Sequence, residues 1–401
     1  MRWFHRSCRT HSDGSRRSGA SGVGARSERE HSLTGIRYCF VSSGSWYRHA
    51  GTVRLRELGR ALAARGVDVS YVVDDVPHNR EHLGVDPWAQ VEYVAHPHSL
   101  RQLAERRASL RQIRPDYVHV LDPAVKLCLA LIGSKSTVVA DWDEWPAKRE
   151  LPALRNAREK FLDRWLRRRA WLTIVCSRYL QERFLEEYGI ESVYVPYAAY
   201  LRPEPDGESP FAEHTAVAMG NFYPAFDHDV LFEAALLLST QGLTPRIVFL
   251  GDGPDLERWR AFVRDRGLVN VSMPGYVSGS ELWRHLRHAH VILFPIRRTV
   301  LNLARCPSKA FAYAQARRPV ITNRVGEVER ALGDRGIYVD CSDVGFASAI
   351  AKAFESKWLP DIDYGVEPHT WAARADAILD ALAERRRSEH HRQEPTPSSH
   401  A

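Results

Sequence analysis

Two short stretches of this 401-residue chain carry residue types whose spacing suits chemistry. Gly251-Asp252-Gly253-Pro254 follows an apolar run, RIVFL, and precedes a charged helical pattern. Its two glycines give the main chain room, either for a tight turn or for free amides that hold an anion at a helix start. Pro254 suits the first helical turn there. Asp141-Trp142-Asp143-Glu144-Trp145 closes another apolar run, STVVA. Its three carboxylates suit holding a hydroxyl or assisting its deprotonation, and Trp142 offers a flat apolar face for stacking. Helix capping and loop packing use the same residue types. His119 and Asp122, at the end of the preceding apolar run, extend this cluster or complete local hydrogen bonds.

These residues need elements to position them. From Gly35 onward, strand-length apolar runs alternate with longer amphipathic stretches. IRYCFVSS, VDVSYVVDD, YVHVLD, STVVADWD and WLTIVCS read as strands of a first half; AVAMGN, RIVFLG, VNVSMPG, HVILFP, RPVITN and IYVD read as strands of a second. Near-continuous apolar strands separated by helices predict parallel sheets covered on both faces. The fold class is therefore α/β, with two Rossmann-like, doubly wound parallel-sheet domains facing across a cleft. The expected boundaries are a disordered basic extension over 1–34, a first domain over 35–197, a Pro- and acid-rich linker over 198–214, a second domain over 215–358, a final helix over 359–384 and a disordered tail over 385–401. Open parallel sheets bind ligands at the carboxyl ends of their strands. That directs attention to residues 42–51, 141–145, 220–228, 251–254, 275–278 and 296–309.

Bulk properties exclude several classes. The net charge is +7, but residues 1–34 hold seven arginines against Asp13, Glu28 and Glu30, and residues 385–401 hold four against Glu389 and Glu394. The basic charge therefore belongs to the tails, and no nucleic-acid-binding signature accompanies it. No run reaches the roughly 18 apolar residues of a membrane span. The first segment lacks the apolar core of a secretory signal, and a cytoplasmic location follows by default. The six cysteines are scattered without a CxxC pair, so neither a zinc site nor a disulfide framework is expected. The helical stretch 155–169 carries seven basic residues against Glu159 and Asp163, with Phe161, Leu162, Trp165 and Leu166 between them. Either it contacts anionic lipid as a peripheral membrane element or its apolar stripe packs on the sheet.

The order of the second half, Gly220-Asn221, then GDGP, then MPGYV with SGSELW, then LFP, then CPSKAFAYAQARRPVITN and a Gly-Glu turn, resembles the carboxyl-terminal domain of family 4 (group 1) retaining glycosyltransferases of the GT-B fold. The resemblance spans about 215–356 and continues into the first half through Gly51 and CSRYL. It implies a nucleotide-sugar donor as co-substrate, no further cofactor, and a final helix that crosses back to the first domain. It also implies donor contacts at Gly51, Gly220, Asn221, Gly251, Asp252, Gly253, Tyr276, Val277, Arg305, Ser308 and Lys309. Arg48, His49 and Trp142 fall on the acceptor side, while Asp141, Asp143 and Glu144 are the candidate catalytic carboxylates.

The chain departs from that family at the paired glutamates, whose positions hold Ala304 and Ala312, and at the usual Arg and Lys after the first strand of the second domain. There the sequence has Asp227 and Asp229; Asp229 is expected as a helix N-cap. Arg297, Arg298 and Arg305 are the expected replacements for the lost cations. The resulting expectation is a metal-independent, retaining transfer of a sugar to a saccharide, lipid-linked or other hydroxyl acceptor. The alternatives are a catalytically inactive GT-B binding protein and a sugar-nucleotide epimerase.

Overall fold

Val, Ile and aromatic residues dominate the apolar runs, and such runs bury both faces of a parallel strand. The computed structural model describes residues 35–44, 50–83, 88–96, 99–145, 152–199, 207–224, 226–355 and 360–393. The first unit runs β1 (Arg37–Val41), α1 (Ala50–Ala63), β2 (Asp68–Asp74), α2 (Pro77–Leu83), β3 (Ala89–Val94), α3 (Arg101–Ile113), β4 (Tyr117–Leu121), α4 (Val125–Ala130), β5 (Thr137–Trp142), α5 (Ala153–Arg169), β6 (Leu172–Val175), α6 (Arg178–Tyr188) and β7 (Val193–Tyr194). The second runs β8 (Thr215–Met219), α7 (Asp229–Thr240), β9 (Arg246–Leu250), α8 (Leu256–Asp265), β10 (Val271–Gly275), α9 (Gly279–Arg287), β11 (Val291–Phe294), α10 (Val300–Ala304), α11 (Ser308–Ala316), β12 (Val320–Thr322), α12 (Glu327–Leu332), β13 (Ile337–Tyr338) and α13 (Asp343–Glu355). A last helix, α14 (Trp371–Gln393), follows.

The sheets have orders β3-β2-β1-β4-β5-β6-β7 and β10-β9-β8-β11-β12-β13, and the paired strands are parallel. Each order reverses beside its first strand, between β1 and β4 and between β8 and β11. Those are the points where such sheets leave a crevice for a ligand. The apolar runs named from the sequence did not include β3 and β7, the two edges. β3 is only partly buried at most of its positions and carries Gln90 and Glu92, and β7 is two residues long, so neither carries a continuous apolar signal.

The two units meet through α6, whose N-cap Ser177 donates from Oγ to the Ala304 carbonyl at 2.6 Å. Buried Glu327 accepts from the Arg178 amide at 2.8 Å and from the Tyr194 hydroxyl. α14 returns to the first unit, where Arg65 of the α1 end pairs with Asp376 and donates to the Ala372 carbonyl at 2.7 Å. It continues past the expected end at 384 because Arg385 and Arg386 lie over the rings of Trp171 and Tyr117, and Glu389 accepts from the Trp171 indole. The expected disorder of 1–34 lies outside the described residues.

Candidate active site

The glycines of GDGP have φ of 149° and 152°, a conformation that side chains avoid. A Cβ on Gly251 would lie 1.7 Å from the Gly220 carbonyl oxygen, and one on Gly253 would lie 2.5 Å from that of Phe222. The room those glycines leave is thus taken by the main chain of residues 220–222. The Phe222 amide donates to Asp252 O at 2.9 Å, and the Asp255 amide donates to Phe222 O at 3.0 Å. The Gly253 amide is held by the Asp252 carboxylate at 2.8 Å. The loop is a packing device with only its rim facing open space. Pro254 precedes α8, which starts at Leu256, so it is not in the first helical turn.

Beneath that loop a cluster of basic groups forms. Gly220 lies against the ends of two of these side chains: a Cβ there would lie 2.6 Å from Lys309 Nζ and 2.7 Å from His228 Nε2 and would have to displace them. Lys309 Nζ and Arg305 Cζ each sit 5.0 Å from the centre of the Phe226 ring. Among the described residues neither cation has a carboxylate within ion-pair distance, and Arg305 Nε is buried without a partner. Burial, then the charge of Arg305, pushes the Lys309 ammonium down to about 7. Burial, then Lys309, pushes the His228 imidazole down to about 3, so it is neutral; its Nε2 donates to Asn221 O at 3.2 Å and its Nδ1 is unpartnered.

The nearby acids are turned elsewhere. Arg297 holds Asp227 Oδ1 at 2.8 Å and Asp229 Oδ2 at 2.6 Å. Arg297 is therefore no replacement for a lost phosphate-binding cation, and Arg298 lines a separate cavity. Only Arg305 joins Lys309. Asp229 is the first residue of α7 instead of its N-cap, which is His228. Ala304 and Ala312 are fully buried, so packing closes the space a glutamate would need at either position.

On the first unit, Gly51 lies in the first turn of α1, and a Cβ there would lie 2.9 Å from Asp143 Oδ2. Asp143 accepts from the Tyr197 hydroxyl at 3.0 Å, and its amide donates to Asp122 at 3.3 Å. Asp141 is not at this surface. It is fully buried, with Arg54 Nε at 2.7 Å and His119 Nε2 at 3.2 Å. Burial opposes its ionisation, but Arg54 and His119 hold it below the ordinary carboxylate range. Trp142 also points inward, donating to Asp163 Oδ1 at 3.0 Å and meeting Phe184 edge-on. Adjacent on β5, the two point to opposite faces of the sheet, and each is fully buried there, so neither is placed to touch an acceptor. Arg48 and His49 lie outside the described residues.

A cleft of about 1130 Å³ separates the two walls at both topological reversals. Of the sequence candidates, Gly51, Asp143, Glu144, Asn221, Asp252, Gly253, Tyr276, Arg305, Ser308 and Lys309 line it, whereas Asp141, Trp142, Gly220, Gly251 and Val277 do not. His228, Phe226 and Tyr197 line it as well and were not singled out from sequence. A histidine immediately before a helix at a strand end was the available signal for His228. Among the described residues no group of three or more His, Cys, Asp or Glu is placed to hold a metal.

Residues 51–197 match the model of Glycosyltransferase Family 4, and residues 213–356 match that of Glycosyl transferases group 1. No curated protein matches the chain. The fold is similar to the Anabaena protein HepE in complex with UDP and glucose, at 12% identity over 90% of this chain and 100% of that one, TM-score 0.60. It is similar to the lipopolysaccharide outer core galactosyltransferase WaaB, at 14% identity, 87% and 99% coverage and TM-score 0.59. It is also similar to a Listeria monocytogenes protein assigned as a UDP-N-acetylglucosamine 2-epimerase, at 11% identity, 91% and 99% coverage and TM-score 0.60. At these identities the structural likeness is one of fold.

Proposed function

The chain belongs to the family 4/group 1 glycosyltransferases of the GT-B fold, and we propose that its cleft binds the diphosphate of a sugar donor on Lys309, Arg305 and the start of α11. One observation carries this: two cations and a helix N-terminus face the cleft, and among the described residues neither cation has a carboxylate within ion-pair distance. An anion supplies what the protein withholds. The same arrangement supports transfer without a metal, since lysine, guanidinium and helix dipole together offset the leaving diphosphate. Asp143 and Glu144, across the cleft, hold the acceptor hydroxyl, with Asp143 oriented by Tyr197. No residue is assigned as a nucleophile, consistent with a retaining transfer on the face where the diphosphate leaves. The acceptor is a saccharide or a lipid-linked hydroxyl, and residues 155–169 give the protein a peripheral contact on the inner face of the membrane.

A panel of nucleoside diphosphates tested by thermal shift checks the reading. At least one raises the melting temperature of the full chain and fails to raise that of Lys309→Ala. Stabilisation unchanged by the substitution, or absent from the whole panel, overturns it. The closed packing at Ala304 and Ala312 favours a second reading, a nucleotide-binding protein without turnover. Nucleotide stabilisation without consumption of any nucleotide sugar in the presence of acceptors selects that one.

A further inference from the structure

The outer face of α5 is unlike that of a helix that only covers a sheet. Its inner face presents Leu162 and Leu166, both buried, with Asp163 beside them taking bonds from Trp142 and, at 2.9 Å, from Arg167 Nε. Glu159, the other acid of the helix, is largely covered and paired with Arg158 at 2.9 Å. Leu154, Arg158, Lys160, Phe161, Arg164 and Arg168 are exposed, and the outer face carries no carboxylate. Leu154 and Phe161 are 87% and 67% exposed. Their spacing of two helical turns sets them about 10 Å apart on one stripe. A single exposed leucine needs no explanation, but two large apolar side chains on one stripe among cations match an interfacial helix.

The helix also has a fixed relation to the cleft. β5 ends where Asp143 and Glu144 line the cavity, and α5 runs back from that edge of the sheet to reach β6. Its first turn, with Leu154, is therefore at the cleft end.

Resting on the peripheral contact in the reading above, we propose that this face of α5 docks on an anionic bilayer. Leu154 and Phe161 enter the headgroup region, and Arg158, Lys160, Arg164 and Arg168 meet lipid phosphates. Docking brings the cleft mouth to the lipid surface, where a lipid-anchored acceptor enters.

Flotation of the full chain with vesicles tests this. It binds vesicles containing one-third phosphatidylglycerol, does not bind phosphatidylcholine alone, and is released by about 0.5 M salt. Converting Arg158, Lys160 and Arg164 together to Glu lowers vesicle binding by about a hundredfold or more, at roughly fivefold for each basic residue lost. Leu154→Ser with Phe161→Ser lowers it by about tenfold, and low salt does not restore it. Both variants keep the nucleoside diphosphate thermal shift of the unaltered chain. Equal binding by the charge-reversed variant, binding to phosphatidylcholine alone, or displacement of the vesicles by duplex oligonucleotide overturns the proposal. Vesicle binding without any nucleotide shift leaves the docking surface standing and removes the donor reading instead.

Discussion

Arg54, His119 and Asp141 in the first unit, and Arg305, Lys309 and His228 in the second, are two versions of one arrangement: basic side chains and an imidazole set into the carboxyl edge of a parallel sheet. Burial keeps both imidazoles neutral. In the first, Nδ1 of His119 accepts from the Tyr38 hydroxyl at 2.8 Å, Nε2–H points at Asp141, and Asp141 answers Arg54 with two bonds, at 2.7 and 3.1 Å. In the second, among the described residues, no acid forms an ion pair with Arg305 or Lys309, because Asp227 and Asp229 are drawn onto Arg297. A buried cation with its carboxylate is architecture; a buried cation without one is a seat for an anion.

Removing the partner in the first cluster has the largest expected effect. Asp141→Ala leaves Arg54 charged and enclosed, which costs about 3–5 kcal/mol of folding stability. Urea titration reads this loss, and whatever folds still binds nucleoside diphosphate normally. Lys309→Met does the reverse. With no ion pair to break, the ligand-free protein keeps its stability or gains some, while nucleoside diphosphate affinity drops about 30-fold, the equivalent of about 2 kcal/mol for a lost charged hydrogen bond. Calorimetric titration beside a melting curve separates the two outcomes. A Lys309→Met protein as damaged as Asp141→Ala would mean that Lys309 has a hidden structural partner.

Gly220→Ala probes the same wall with a smaller perturbation. The new methyl meets the ends of Lys309 and His228, both side chains, whereas at Gly251 it would meet backbone 1.7 Å away. Gly220→Ala therefore folds, displaces the ammonium and lowers nucleotide affinity about tenfold, or about 1.4 kcal/mol. Gly251→Ala loses stability first. Melting temperature and affinity measured together give this ordering.

Local pattern made the central strands legible, since a run such as RIVFL in β9 is apolar at nearly every position. The cleft followed from strand ends alone. What sequence left hidden depends on partners far along the chain. Whether Asp141 or Asp143 faces the cleft is decided by Arg54, 87 residues before Asp141. Whether Asp227 repels a diphosphate is decided by Arg297, 70 residues on. GDGP announces a close approach but cannot name the approaching atoms, which prove to be the protein's own. Phe161 is a different case: it shares a helical face with Arg158, Arg164 and Arg168, so the phase of the charges already put it outside.

The smallest effect, and the one most specific to the unpaired cluster, is the response to pH. Lys309 titrates near 7 in the free protein, against about 10.4 in an unfolded chain. Between those values the unfolded state binds more protons, so this group's contribution to stability is complete above about 10.4 and is lost as pH falls through about 7. Nucleotide binding has the opposite slope, because the diphosphate needs the ammonium. From pH 7 to 8 the protonated fraction of free Lys309 falls about fivefold, and affinity falls with it. The last phosphate ionisation lies near pH 6 and adds little slope above 7. Lys309→Arg keeps its charge throughout, so it retains nucleotide binding and flattens both curves. Parallel slopes of stability and affinity in the unaltered protein, or a Lys309→Arg variant as pH-sensitive as its parent, would place the titrating group elsewhere and remove the contrast between the clusters.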